Sequence, residues 1–301
     1  MTTLENTDMA LEIVNFYSDE MRLEGDLFLP KNRDEPGPAV IVAHGFGGIK
    51  EFFVGDIARV FCRAGYVALT FDYRGFGKSE GRRNRLFPME QVEDVRAAVT
   101  YLRTRPEVDP DRLSIYGTSF GGGVSVAAAA LDGAIRSVVC AVSFADGTQW
   151  LRSLRRNWEW QEFEDAIAKD RVERVLTGKS RVVEPEYIMV RDPESAEHEQ
   201  YLRSTWPNRA FNLDLASGEA IMNFKPSEFA ARLAPCAMLL IAVDRDGLVG
   251  FYQTQELFRR SSEPKELLVL EGLTHHQVYQ PKHLAHVMES VVGFVTRHSS
   301  S

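Results

Sequence analysis

Leu113-Ser114-Ile115-Tyr116-Gly117-Thr118-Ser119-Phe120-Gly121-Gly122-Gly123 is the stretch of sequence that decides the fold. A short apolar run leads into Gly-x-Ser-x-Gly, and small residues suited to a helix follow at 124–130. A strand, a sharp turn with a serine at its tip and a helix form the context in which this motif indicates a nucleophile elbow. Gly117 and Gly121 flank Ser119 because a side chain at either position would collide with the neighbouring strand or helix. The Ser119 hydroxyl is therefore expected above the sheet, at the positive end of the helix.

Strand-like and helix-like segments alternate on both sides of this stretch. Two alternating runs, 11–18 and 22–30, predict an antiparallel hairpin at one edge of a sheet. Continuous apolar runs typical of buried parallel strands are interleaved with helical patterns. The other predicted strands are 39–43, 66–73, 113–118, 137–144, 238–243 and 266–270, and predicted helices include 89–102 and 283–296. This order predicts an α/β fold with a mostly parallel central sheet and helices on both faces.

The segment 147–226 interrupts this alternation. It contains several helical stretches and no strong strand, and Trp150, Leu154 and Trp158 would share one helical face. Because the segment follows a central strand, it is expected to form a cap over the site. The predicted domains are therefore a core of residues 1–146 and 227–301 and a mainly helical cap of residues 147–226.

Composition limits the classes of partner. The 301 residues carry a net charge of −8, which excludes the basic surface typical of nucleic-acid binding. No apolar run approaches the length of a membrane span, and no signal-peptide pattern opens the chain. The cysteines, Cys62, Cys140 and Cys236, lie singly within apolar patterns and are expected to be buried free thiols. We therefore expect a cytoplasmic protein that binds a small-molecule substrate, with no nucleic-acid or membrane partner. A homodimer through the cap or the hairpin stays open.

Two loops after predicted strands offer an acid and a base for the serine. A serine hydroxyl becomes a nucleophile when a base takes its proton, and an acid must orient that base. In a parallel sheet such groups come from loops at the carboxyl ends of strands. The chain order is serine, acid, histidine. The residues alone leave two acids and two bases: Asp246 or Asp244, and His275 or His276.

Five pieces of sequence, in order along the chain, carry a resemblance to a known family. They are His44-Gly45-Phe46-Gly47-Gly48, Asp72-Tyr73-Arg74-Gly75-Phe76-Gly77-Lys78-Ser79, Gly117-Thr118-Ser119-Phe120-Gly121-Gly122, Asp246, and Gly272-Leu273-Thr274-His275. Together they resemble the α/β-hydrolase superfamily, and within it the dienelactone-hydrolase-like and peptidase-S15-like serine esterases. The resemblance spans nearly the whole chain except the cap.

The resemblance implies a role for each matching residue. Ser119 would be the nucleophile, Asp246 the orienting acid and His275 the base. The backbone amides of Phe46 and Phe120 would form the oxyanion hole. The expected reaction is hydrolysis of a carboxylic ester, or a related acyl bond, through an acyl-enzyme. The predicted cap over the site indicates a small to medium, mainly apolar substrate that is enclosed before reaction.

Several alternatives and absences complete the expectations from the sequence. The same three residues would also serve acyl transfer, lactone or amide opening, or carbon–carbon bond cleavage, and a non-catalytic small-molecule receptor is the rival from another class. Asp146, Trp150 and Trp158 are candidates for lining the substrate pocket, and Asp146 could instead brace the cap hinge. No metal-ligand spacing and no dinucleotide fingerprint is found, so no metal and no cofactor are expected.

Overall fold

The computed structural model describes residues 8–31, 35–206 and 212–299, and an eight-stranded sheet forms its centre. The strands are β1 (Met9–Ser18), β2 (Met21–Pro30), β3 (Gly37–Ala43), β4 (Val67–Phe71), β5 (Val108–Thr118), β6 (Ile135–Ala141), β7 (Val182–Val183), β8 (Leu213–Asp214), β9 (Ala237–Val243) and β10 (Lys265–Leu270). The sheet has the order β1-β2-β4-β3-β5-β6-β9-β10. The pairs β1/β2 and β2/β4 are antiparallel, and the other pairs in this sheet are parallel.

Helices connect these strands and cover both faces of the sheet. They are α1 (Val54–Arg63), α2 (Pro88–Arg103), α3 (Phe120–Leu131), α4 (Gly147–Ser153), α5 (Asn157–Thr177), α6 (Pro185–Ile188), α7 (Pro193–Thr205), α8 (Ala216–Met222), α9 (Pro226–Ala230), α10 (Phe251–Arg260) and α11 (Pro281–His298), with a 3₁₀ turn at Gln277–Tyr279. Among the residues that the structure describes, no helix is both long and apolar enough to span a membrane.

Side chains that alternate along the central strands build the core on both faces of the sheet. All seven residues of β3 are buried, as expected for a strand that is covered on both sides. Ala39 and Ile41 point into a cluster that includes α2 and α3. Val40 and Val42 point into a second cluster with α1 and α11. The period of two in a strand thus assigns successive apolar residues to opposite layers.

The predicted fold class is confirmed, including the hairpin β1–β2 at one edge of a mostly parallel sheet. Two details in the segment 147–226 differ from the expectations. Trp150 and Trp158 do not share one helix, because α4 ends at Ser153 and α5 begins at Asn157. A small antiparallel pair, β7 with β8, also lies there, and two-residue strands leave no periodic signal in a sequence.

Candidate active site

The turn between β5 and α3 holds Ser119 in a strained conformation. Ser119 has φ 50° and ψ −121°, a region that a non-glycine residue occupies only when its surroundings require it. A Cβ on Gly117 would lie 2.4 Å from the Gly121 carbonyl oxygen. A Cβ on Gly121 would lie 2.3 Å from the His44 carbonyl oxygen. Backbone therefore passes so close to both glycines that no side chain fits, and the sharp turn with an outward serine results.

Ser119, His275 and Asp246 form a continuous hydrogen-bond chain. The Ser119 Oγ lies 2.9 Å from His275 Nε2, and His275 Nδ1 lies 2.8 Å from Asp246 Oδ2. The side chains of His275 and Asp246 are 3% and 2% exposed, so water hardly competes for the bond between them. The three residues follow β5, β10 and β9, whose parallel carboxyl ends meet at one edge of the sheet.

The structure separates the two acids that the sequence left open. The Oδ1 of Asp246 accepts the backbone N–H groups of Leu248 and Val249 at 2.9 and 2.7 Å, which leaves Oδ2 directed at His275. Asp244 is exposed and accepts the Gly272 N–H at 2.6 Å instead. Asp244 therefore joins the two loops, and Asp246 is the carboxylate at the histidine.

The two histidines have different surroundings. The ring of His276 stacks on His198, with 4.2 Å between ring centres, and its Nε2 lies 3.0 Å from Ser195 Oγ. Burial, and the repulsion between a protonated ring and any positive charge on His275, His198 or Arg191, lower the pKa of His276 to about 2, so its ring is neutral. His276 thus contacts the segment 147–226, and His275 contacts the serine.

The His44–Gly48 loop packs against the serine from the other side. A Cβ on Gly45 would lie 3.2 Å from Ser119 Cβ, so the loop backbone passes close to the nucleophile. His44 supports this loop: its Nδ1 lies 3.0 Å from the Gly45 carbonyl oxygen, and burial lowers its pKa to about 4. Phe46 lies at the cavity next to Ser119. Phe120 opens α3, where backbone N–H groups have no partner within the helix.

A cavity of about 80 Å³ adjoins Ser119 and His275. Its apolar lining comes both from the segment 147–226 and from the rest of the chain: Phe46, Phe52, Phe53, Met189, Leu202, Leu248 and Tyr279. Its polar lining beyond Ser119 and His275 includes Arg191, Ser195, His198, Glu199 and His276. The sequence does not indicate the lining residues on and before α7, since nothing in their pattern shows which face of that helix meets the core.

The three cap candidates from the sequence lie outside the lining of this cavity, which corrects that expectation. Asp146 caps α4, accepting the Gln149 N–H at 2.9 Å. Trp150 is buried against Phe144, and its indole N–H donates to the Leu248 carbonyl oxygen at 2.9 Å. Trp158 is 56% exposed on α5. Asp146 and Trp150 thus fix the start of the segment 147–226, as helix caps and large buried aromatic residues commonly do.

Comparison with known families identifies the class of protein. A family model described as serine aminopeptidase, S33, matches residues 34–282. The chain belongs to this family of α/β hydrolases. The superfamily expected from the sequence is thereby confirmed, and the narrower resemblance to dienelactone-hydrolase-like and peptidase-S15-like esterases stays a prediction.

Relatives of this α/β hydrolase include proteins described as a thiohydrolase and as a polyketide transferase. A thiohydrolase of Eupenicillium brefeldianum is 31% identical over 269 residues, which cover 86% of this chain and 85% of that protein. A polyketide transferase of a Penicillium species, grgF, is 35% identical over 148 residues, 49% of this chain and 48% of that protein. The crystal structure of the α/β hydrolase GrgF from Penicillium sp. sh18 has a TM-score of 0.82 at 22% identity, covering 97% of this chain and all of that one.

Together with the family match, these relatives show an enzyme of the α/β-hydrolase type with hydrolase or acyl-transfer activity.

Proposed function

We propose that this enzyme hydrolyses a carboxylic ester or a related acyl bond, thioesters included, through an acyl-enzyme on Ser119. The observation that carries the proposal is the buried hydrogen-bond chain from Ser119 through His275 to Asp246, beside a mainly apolar cavity. A serine, its base and an orienting acid at these distances are the parts that nucleophilic acyl chemistry needs.

The geometry supports a sequence of balanced steps. Ser119 Oγ attacks the acyl carbon while its proton passes to His275 Nε2, 2.9 Å away. The amides of Phe46 and Phe120 hold the resulting oxyanion. The intermediate collapses, the bond to the leaving oxygen or sulfur breaks, and His275 returns the proton to the departing alcohol or thiol. Water then repeats the sequence: it gives a proton to His275 and adds to the acyl carbon, and as the bond to Ser119 breaks, His275 returns that proton to Ser119 Oγ and the acid is released.

The cavity supports a mainly apolar acyl group. Phe46, Phe52 and Leu248 line it beside the serine, and its free volume of about 80 Å³ suits a short chain or a segment of a longer one. Pockets of this kind bind mostly through apolar contact and use a few polar groups for orientation. The thiohydrolase relative suggests thioesters as substrates beside oxygen esters.

The first test is intact-mass labelling with a fluorophosphonate probe, which reacts with activated serines. We expect one adduct on the parent protein and none on Ser119→Ala. Ser125→Ala is the matched control because Ser125 lies on α3, buried beneath the elbow, and should keep the adduct. In assays with p-nitrophenyl butyrate and the matching butyryl thioester, Ser119→Ala should lose at least about a thousandfold in turnover. A folded parent that takes no adduct and turns over no acyl substrate would contradict the proposal and favour a non-catalytic receptor.

Acyl transfer to an acceptor other than water is the second candidate. The similarity to the polyketide transferase of Penicillium favours it, and the same acyl-enzyme would serve both reactions. Product analysis with added alcohols and amines separates the two. Ester or amide products that form in proportion to the acceptor indicate transfer, and free acid alone indicates hydrolysis.

A further inference from the structure

One turn of a cap helix contacts both loops that carry the acid and the base. Helix α7 begins after Asp192, whose Oδ1 accepts the Ser195 backbone N–H at 3.1 Å. The residues in this turn with contacts to the core loops are Asp192, Glu194 and Ser195. The turn is therefore placed against the part of the core that holds His275 and Asp246.

The contacts to the histidine loop flank His275 on both sides. Thr274 Oγ1 donates to Glu194 Oε1 at 2.7 Å. His276 Nε2 lies 3.0 Å from Ser195 Oγ. Residues immediately before and after His275 are thus both bound to α7, so a shift of this turn would move the backbone on both sides of the base.

The direction of the hydrogen bonds follows from the donors present. Ser195 Oγ donates its single proton to Asp192 Oδ2 at 2.8 Å, because a carboxylate can only accept. Ser195 Oγ must therefore accept from His276, whose Nε2 carries the proton. A continuous chain runs from His276 through Ser195 to the Asp192 carboxylate, and each donor in it is used once.

The contact to the acid loop depends on a glycine. Gly247 directly follows Asp246, and a Cβ added to it would lie 3.1 Å from Asp192 Cγ and Oδ2. The Asp192 carboxylate therefore packs directly on the acid loop. The Asp192 carboxylate, which ends the hydrogen-bond chain from His276, thus also lies against Gly247, the residue after Asp246.

Helix α7 also lines the substrate cavity, from Ser195 to Leu202. Leu202 packs with Phe52 in one cluster, and both line the cavity. Arg191, just before α7, pairs with Glu199 on the helix at 3.2 Å, and both side chains are 7% exposed. Helix α7 therefore contacts both the cavity and the two loops.

We propose that Ser195 and His276 are positioning residues, through which α7 holds the loops of His275 and Asp246 in the arrangement that lets His275 reach Ser119. This rests on the proposed function, because it assigns the two residues a role in turnover. Neither residue contacts the reacting atoms. Their contact with each other is fixed, because Ser195 is buried and His276 is stacked on His198.

The Ser195→Ala variant tests this with little disturbance. Asp192 still caps α7 through the Ser195 backbone N–H, so the helix should form. We expect kcat for p-nitrophenyl butyrate to fall about ten- to a hundredfold with KM little changed, because misplacing a catalytic group lowers the rate more than it lowers binding. Ser195→Thr keeps the hydroxyl and should restore kcat. Ser204→Ala is the matched control: Ser204 is exposed on the same helix and donates only to the Tyr201 carbonyl oxygen among the contacts described.

A second readout does not need turnover. The proton on His275 Nδ1, hydrogen-bonded to Asp246, should give a low-field NMR resonance in the parent that broadens in Ser195→Ala and returns in Ser195→Thr. Parental kcat together with an unchanged resonance in Ser195→Ala would overturn the positioning role. An inert parent whose resonance still responds to Ser195→Ala would overturn the proposed function alone.

Discussion

The Asp246→Asn variant keeps the shape of the side chain but replaces one hydrogen-bond acceptor oxygen by an NH₂ group, which can only donate. The Oδ1 of Asp246 accepts two backbone N–H groups, from Leu248 and Val249. In asparagine the carbonyl oxygen must take that place, because an amide NH₂ cannot accept a hydrogen bond. The NH₂ group then faces His275 Nδ1, which must accept. The proton of the neutral ring therefore moves to Nε2, the atom that should receive the proton of Ser119.

The expected loss follows from this change of tautomer. Rotating the buried asparagine amide by half a turn would leave the backbone N–H groups of Leu248 and Val249 without an acceptor. Each unpaired N–H group would cost about 1–3 kcal/mol, so the NH₂ group stays directed at His275. An Nε2–H ring cannot act as the base for Ser119, so we expect kcat to fall about ten-thousandfold, a barrier increase of about 5 kcal/mol. The fold should be retained because the backbone contacts of the loop are kept.

The assay measures kcat on p-nitrophenyl butyrate and the rate of fluorophosphonate labelling, both of which need the base. Asp244→Asn is the matched control, because Asp244 accepts the Gly272 N–H and asparagine can do the same. We expect kcat of Asp244→Asn to stay within about threefold of the parent value, because ordinary surface substitutions change free energies by only about 0.5 kcal/mol. Asp246→Asn with kcat within tenfold of the parent, or Asp244→Asn with the larger loss, would refute the assignment of the acid.

Three further predictions concern stability. Gly121→Ala places a Cβ 2.3 Å from the His44 carbonyl oxygen and should lower the free energy of unfolding by at least about 1–3 kcal/mol. Gly133→Ala, whose new Cβ meets nothing within 4 Å, should be nearly neutral. Equal melting temperatures of the two variants would contradict this. His44 has its pKa lowered by burial to about 4 from about 6.5 in an unfolded chain, so its contribution is present above pH 6.5 and lost as the pH falls towards 4, by about 1.4 kcal/mol per pH unit. Urea unfolding across that range should show a flatter pH dependence for His44→Asn, and an unchanged slope would count against it. Trp150→Phe leaves the Leu248 carbonyl without its indole donor and should cost about 1–3 kcal/mol in the same assay; a cost well below 1 kcal/mol would mean that the bond contributes little.

Local patterns in the sequence predict the central sheet and Ser119, whereas the resemblance to the α/β-hydrolase superfamily favours Asp246 and His275 over Asp244 and His276. Ser119 lies in a motif whose two glycines are required, because an added Cβ would lie 2.3 or 2.4 Å from a backbone oxygen. The motif in the sequence therefore predicts the turn directly. The choice between His275 and His276 is different. It depends on the turn after β10, where Gly272 has φ 76° and a 3₁₀ turn follows at Gln277–Tyr279. The backbone of this turn sets the direction of each histidine side chain, and no periodic pattern in the sequence indicates that direction.

The cap lining could not be predicted for a related reason. Trp150 and Trp158 are the most conspicuous apolar residues of the cap, yet one packs against the core and the other is exposed. The cavity instead contacts Leu202 and the residues before α7. Which face of a helix meets a cavity depends on how distant segments dock, and the helical pattern within the segment is nearly the same either way.

The polar side chains of the cavity have partners within the protein, which is compatible with the apolar substrate proposed above. Arg191 is paired with Glu186 and Glu199, and His276 with Ser195. A polar substrate group would have to replace one of these bonds, and exchanging one hydrogen bond for another contributes little net free energy. An apolar acyl chain against the aromatic wall competes with no such bond and gains about 25 cal/mol for each Å² it buries. We therefore expect acyl chain length to change kcat/KM more than added hydroxyl groups do, with the polar wall serving to fix α7.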